Sequence, residues 1–137
     1  MQSYTANLKE HGLRDTQPRR LVIDALSHLD KPVSPQEIHQ WILARRHTVN
    51  LVTIYRALET LENIMLIHRH PCDGNYSLCS LPDTKGHHGF LHCHACGQVE
   101  EFVNAELCRM EDSIAASAQF QPHDHVTEIM GTCKSCS

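Results

Sequence analysis

No apolar run in these 137 residues approaches the length of a membrane span. The N-terminal stretch MQSYTANLKEHGLR holds no apolar h-region, so no secretory signal is expected and a cytoplasmic location is the default. Without export there is no oxidising compartment. The seven cysteines and twelve histidines are then expected to be metal ligands or redox groups rather than disulfide partners. Net positive charge is lacking as well: the formal charge of −4, taken as an average, argues against nucleic acid. A chain this short holds one ordinary domain or two small ones. Small units are short of core, which gives a metal staple a physical purpose.

The average conceals an asymmetry. Residues 1–70 carry nine Lys/Arg against seven Asp/Glu, whereas residues 71–137 carry three against nine. A mildly basic N-terminal half and an acidic, ligand-rich C-terminal half imply two modules with different partners.

In the first half, PRRLVIDALSHL at 18–29 places Val22, Ala25, Leu26 and Leu29 on one helical stripe behind Pro18. Ser34, Pro35 and Glu37 form the start signal of a second helix, with Ile38, Trp41 and Ile42 on its apolar face. In LVTIYRALETLEN, Ile54, Leu58 and Leu61 recur at helical spacing while Thr53, Arg56, Thr60 and Asn63 face the other way. IMLIHRHP and NYSLCSL then read as two short strands joined around Asp73-Gly74. Helices followed by a hairpin is the order of a winged helix-turn-helix, and a small helical bundle fits the same pattern.

The second half carries the metal signal. Cys93-x-x-Cys96 and Cys133-x-x-Cys136 are two thiolate pairs, and two such turns complete a tetrahedron suited to structural zinc. Their wide separation requires real structure between them. GQVEEFV is strand-like, Asn104 can cap a helix with Leu107, Met110, Ile114 and Ala118 on one stripe, and 121–130 can supply a returning strand. His92 and His94 are expected to be solvated. His87 and His88 are different, because His68 and Cys79 on the hairpin and Glu101 on the next strand are ligand types able to reach them. A site drawn from both modules would fix their relative angle when filled, as a sensor requires. A zinc deaminase needs HxE ahead of PCxxC. No proline precedes Cys93, and four thiolates leave no open position for water, so no catalysis is expected.

These residues resemble the ferric uptake regulator family of metal-dependent bacterial repressors along nearly the whole chain. The matching motifs are GLRDTQPRR at 12–20, TIYRALETL at 53–61, IHRH at 67–70, HHGFLHCHACGQVEEF at 87–102 and the closing CxxC. The resemblance implies an α+β homodimer with an N-terminal winged helix (1–80), a hinge (81–86) and a small α/β dimerisation and metal-binding domain (87–137). It further implies binding to an AT-rich palindromic DNA operator, with contacts from Arg14, Thr53, Tyr55 and Arg56, and no membrane or small-molecule substrate.

Within the family, Gly89 and Phe90 replace two ligands expected of iron-sensing members. Cys79 stands where a wing carboxylate is expected, and Lys31-Pro32 occupy a stretch that commonly supplies a histidine. A thiolate favours zinc over ferrous iron. The pattern is similar to the zinc-sensing branch, which implies two or more zinc ions per subunit. The structural zinc falls to Cys93, Cys96, Cys133 and Cys136, and a regulatory zinc to His68, Cys79, Glu101 and one of His87 and His88. Strand alternation gives those two histidines opposite faces, and the other one is expected to join His125 in a second regulatory site where the family often has a helix glutamate and this chain has Cys108. An iron- or peroxide-responsive regulator and a thiol-redox switch are the competing readings. The family often has glycine after the recognition helix; in its absence Asn63 is expected to take the left-handed position.

Overall fold

The structure, a computed structural model, describes residues 4–82, 86–123 and 125–137. It divides into two compact units, Met1–Cys79 and Ser80–Ser137. Of the hinge expected over 81–86, residues 83–85 lie outside the described set, as does position 124 in the expected returning strand.

The first unit is helical. It contains α1 (Tyr4–Glu10), α2 (Gln17–His28), α3 (Pro35–Ala44) and α4 (Leu51–Asn63), followed by a hairpin of β1 (Ile67–Arg69) and β2 (Tyr76–Leu78). Sequence periodicity did not disclose α1, a helix of 7 residues that buries only Leu8. The starts of the others are chemically explicit. The side chains of Thr16 and Asn50 accept from the Arg19 and Thr53 amides, and Ser34 with Glu37 closes a full capping box. Val22, Ala25, Leu26, Ile38, Ile42, Ile54, Leu58 and Leu61 interlock as one core, with Ile67 and Tyr76 sealing it from the hairpin. The hairpin turns through Asp73-Gly74: the Gly74 amide donates to the His70 carbonyl at 2.7 Å, and Gly74 takes φ 74°. An isolated pairing of Val33 with Tyr76 adds a third edge. Helices followed by this hairpin make a winged helix-turn-helix, with α4 as its third core helix.

Asn63 does not take the left-handed position at the end of α4; Met65 does, at φ 61°. The helix runs to Ile64, and the amides of Met65 and Leu66 return to the carbonyls of Glu62 and Leu61 at 2.9 and 3.1 Å. That double bond pattern is a Schellman ending, and it closes where buried Leu66 meets buried Leu61. Apolar contact therefore sets the register, and the left-handed burden falls on whichever residue precedes Leu66. Arg46 (φ 63°) and Gln119 (φ 54°) end α3 and α5 the same way. Met65→Gly should therefore stabilise the protein by about 1 kcal/mol. A urea midpoint no higher than that of the parent, at equal slope, would contradict this.

The second unit is built on a three-stranded sheet in the order β4-β3-β5. Its strands are β3 (His88–Cys93), β4 (Val99–Val103) and β5 (Glu128–Gly131); α5 (Ala105–Ser117), capped by Asn104, links β4 to β5. β3 pairs antiparallel with β4, placing Gly89 opposite Phe102 and Phe90 opposite Glu101. β5 returns parallel to β3, with Cys93 opposite Gly131. Glycine at 89 lets the Phe102 ring lie against the strand: a Cβ there would come within 2.4 Å of the ring, which would have to move. Two apolar residues of the unit, Phe90 and Cys93, are buried, and the expected α5 stripe is not: Met110 and Ile114 are 63% and 68% exposed. Leu91, Phe120, Ile129 and Met130 are exposed as well. A unit so poor in core and so rich in apolar surface gains most from a cross-link and from a partner surface.

Candidate metal centres and nucleic-acid face

The turn after β3 presents Cys93 and Cys96, and the turn after β5 presents Cys133 and Cys136. The parallel pairing of β3 with β5 brings the two turns together, so that all four sulfurs lie within 4.8 Å of one another. Cys96 Sγ and Cys133 Sγ are 3.8 Å apart. A disulfide needs about 2.05 Å. A tetrahedron with metal–sulfur bonds of about 2.3 Å has edges of about 3.8 Å, so the spacing fits zinc.

The local electrostatics fit as well. The Cys133 amide, with that of Cys96, points at the Cys93 sulfur and lowers its thiol to about 6. The sulfurs of Cys133, Cys96 and Cys93 push the Cys136 thiol up to about 12. Four thiolates cannot share one corner without a cation; a divalent metal removes that conflict by displacing the last proton.

The remaining candidates fall on both units. On the hairpin, the Cys79 amide donates to the Leu66 carbonyl at 3.0 Å, and His68 pairs with Ser77, so that Leu66, His68, Ser77 and Cys79 share one face. A ring nitrogen of His68 and the Cys79 sulfur lie within 4.8 Å. In the second unit, buried His88 is paired through Nδ1 with a Glu101 carboxylate oxygen. The other Glu101 oxygen accepts from the Ser80 amide and hydroxyl at 3.0 and 3.2 Å. His87 lies apart from this pair and meets His125 with ring centroids 3.6 Å apart and the planes tilted by 44°.

Cys108 has its sulfur within 4.8 Å of ring nitrogens of His87 and His125, at the place where the second regulatory site was expected. Sequence reading missed Glu111 beside this trio. Its carboxylate accepts from the Thr127 hydroxyl at 2.5 Å and lies 3.2 Å from His125 Nε2, which makes no hydrogen bond. His92 is not solvated as expected: its Nε2 lies 3.6 Å from Glu128, and both side chains are 10% exposed. The diagonal placement of His92 and Glu128 on one sheet face, visible only once β5 is known to run parallel, is the missing signal. His94 is exposed.

The DNA-contact candidates lie on the first unit. Tyr55 and Arg56 sit with Val52 and Glu59 on the exposed side of α4, opposite Ile54, Ala57, Leu58 and Leu61. Gln36 of α3 donates to the Tyr55 hydroxyl at 3.4 Å, a positioning contact that sequence spacing does not announce. Thr53 is half-buried, its amide held by Asn50. Arg14 is exposed, its carbonyl accepting from Arg19 at 2.8 Å.

A winged helix with an exposed third helix, joined to a thiolate metal module whose apolar surface calls for a second copy, defines a dimeric metal-dependent DNA-binding regulator. The comparisons place it further. The model of the ferric uptake regulator family matches residues 10–130, and the chain belongs to that family. The ferric uptake regulation protein of Legionella pneumophila is 35% identical over 130 residues, covering 94% of this chain and 95% of that one. Among solved structures, a zinc uptake regulator complexed with zinc and DNA matches with a TM-score of 0.89 at 24% identity, covering 96% of this chain and 89% of its own. Holo XcZur matches with a TM-score of 0.87 at 26% identity, covering 96% and 92%. Among the described residues, no helix is long and apolar enough to cross a membrane.

Proposed function

We propose that this protein is a zinc-responsive, DNA-binding transcriptional repressor of metal-uptake genes and acts as a cytoplasmic homodimer. Cys93, Cys96, Cys133 and Cys136 hold a structural zinc in each subunit. A regulatory zinc takes His68 and Cys79 from the winged-helix domain (1–80) and His88 and Glu101 from the dimerisation domain (87–137), across the hinge at 81–86. His87, Cys108 and His125 offer a further donor set.

The reading of zinc rather than iron rests on one observation: each unit presents half of a mixed donor set, and the winged-helix half includes a thiolate. Thiolate with imidazole and a single carboxylate suits zinc, whereas ferrous sensing calls for oxygen and nitrogen. Two further features agree. Val33, in the stretch where the iron branch takes a histidine, is 5% exposed and paired to Tyr76. The Phe102 ring fills the space that a side chain at 89 would need. The Legionella relative is a ferric uptake regulation protein, yet the donor types here argue for zinc, the metal bound by the similar zinc uptake regulator in its complex with DNA.

Filling both halves ties the units and sets the spacing of two recognition faces in the dimer to match a palindromic, AT-rich operator. Arg14 enters a narrow minor groove while Thr53, Tyr55 and Arg56 meet the major groove. The test is fluorescence anisotropy of a labelled AT-rich palindromic duplex across buffered free zinc, with ferrous iron in parallel under anaerobic conditions. Binding should strengthen about thirty- to a hundredfold with zinc, a coupling of about 2–3 kcal/mol. A switch driven by iron instead would move the protein to the iron branch.

A further inference from the structure

The turn between α3 and α4 combines a strained backbone with unopposed charge. Arg46 occupies the left-handed region at φ 63°, where glycine is the favoured residue. Both Arg45 and Arg46 are exposed. The Arg45 guanidinium lies 3.6 Å above the Trp41 ring, which also meets His28 at 5.4 Å. Stacking on the ring face leaves the N–H edge of an arginine open to an anion and removes part of the entropy cost of ordering it. His39 steadies the far side of the turn by pairing with the Val49 carbonyl at 2.8 Å.

The local sequence is free of acid. Between Glu37 and Glu59 the chain runs 21 residues (38 to 58) without a carboxylate, its longest such stretch, and those residues include Arg45, Arg46, His47 and Arg56. In a chain of net charge −4, that concentrates positive potential on the end of α3, the turn and the start of α4.

We propose that Arg45 and Arg46 form a phosphate-binding turn that holds the DNA backbone beside the exposed face of α4, with Trp41 as the positioning residue for Arg45. The proposal rests on the DNA-binding function above. Phosphate contacts set register without reading sequence, so the turn supplies affinity and salt dependence rather than specificity.

Arg46→Gly separates strain from charge because the two effects have opposite signs. At saturating zinc the variant should melt at a higher temperature than the parent, yet bind both operator and scrambled duplex several-fold more weakly. The slope of log affinity against log salt should shrink in magnitude by about 0.9, one phosphate contact. Arg46→Asn, a neutral residue that tolerates positive φ, should show the same binding loss. Met65→Gly, which relieves equal strain without removing charge, should raise stability and leave the salt slope unchanged. Unaltered affinity and slope in both Arg46 variants would overturn the proposal, as would a loss confined to the operator, which would make Arg46 a base reader. Failure of the unsubstituted protein to bind any duplex would be a different result, one that overturns the function itself.

Discussion

Cys133→Ser should leave the protein unable to hold its structural zinc and unable to fold residues 80–137 as a dimerising unit. The reason is a comparison of magnitudes. Structural zinc contributes on the order of 10–16 kcal/mol to the folding of a small metallodomain, whereas whole domains are stable by only about 5–15 kcal/mol. This unit buries Phe90 and Cys93 among its apolar residues and little else, so it has no independent core to fall back on. Metal analysis should find the structural zinc missing, and size-exclusion chromatography should find the dimer gone. Limited proteolysis should still return a resistant fragment ending near Cys79, because the winged helix packs around its own core. A dimeric variant with normal melting would show that the sheet and α5 suffice without metal.

Cys79→Ser should have the opposite profile: a folded, zinc-containing dimer whose DNA binding ignores added zinc. Serine preserves the shape of the hairpin, where the backbone bond to Leu66 does not involve the sulfur. Its hydroxyl does not ionise at neutral pH and is a poor zinc ligand, so the winged-helix half of the donor set falls to His68 alone. Affinity for the operator in excess zinc should drop to that of the zinc-depleted parent, a loss of about thirty- to a hundredfold. The melting transition stabilised by the four-cysteine zinc should remain. Loss of folding in this variant would instead make Cys79 structural. Retention of a full zinc response would remove it from the sensor.

Much of this was legible before any coordinates. Capping chemistry is local, so Ser34, Pro35 and Glu37 announced α3, and Asn104 announced α5. The two CxxC pairs declared a tetrahedral centre because two such turns in one short chain supply four sulfur ligands of the right spacing. What stayed hidden depends on partners far away in sequence. The pairing of His92 with Glu128 requires a parallel strand that no periodicity reveals. Glu111 near His125 requires knowing how α5 lies along the segment before β5. The position of the left-handed residue after α4 was misjudged for a related reason. Propensity pointed to Asn63, but contact between Leu61 and Leu66 decides where the turn closes. Helix α1 escaped because it is short and contributes one buried leucine.

The parallel pairing of β3 with β5 also imposes an order of events on folding. The winged helix closes around an apolar core of its own. In the second unit the four-thiol cluster is complete only when Cys133 reaches Cys96 across 37 residues. That loop must be closed against chain entropy before any contact repays it. The unit with its own apolar core has no need of metal to fold, whereas the unit with four cysteines and few buried apolar residues draws its stability from the ion, so metal supply bears on its folding before it bears on any sensing.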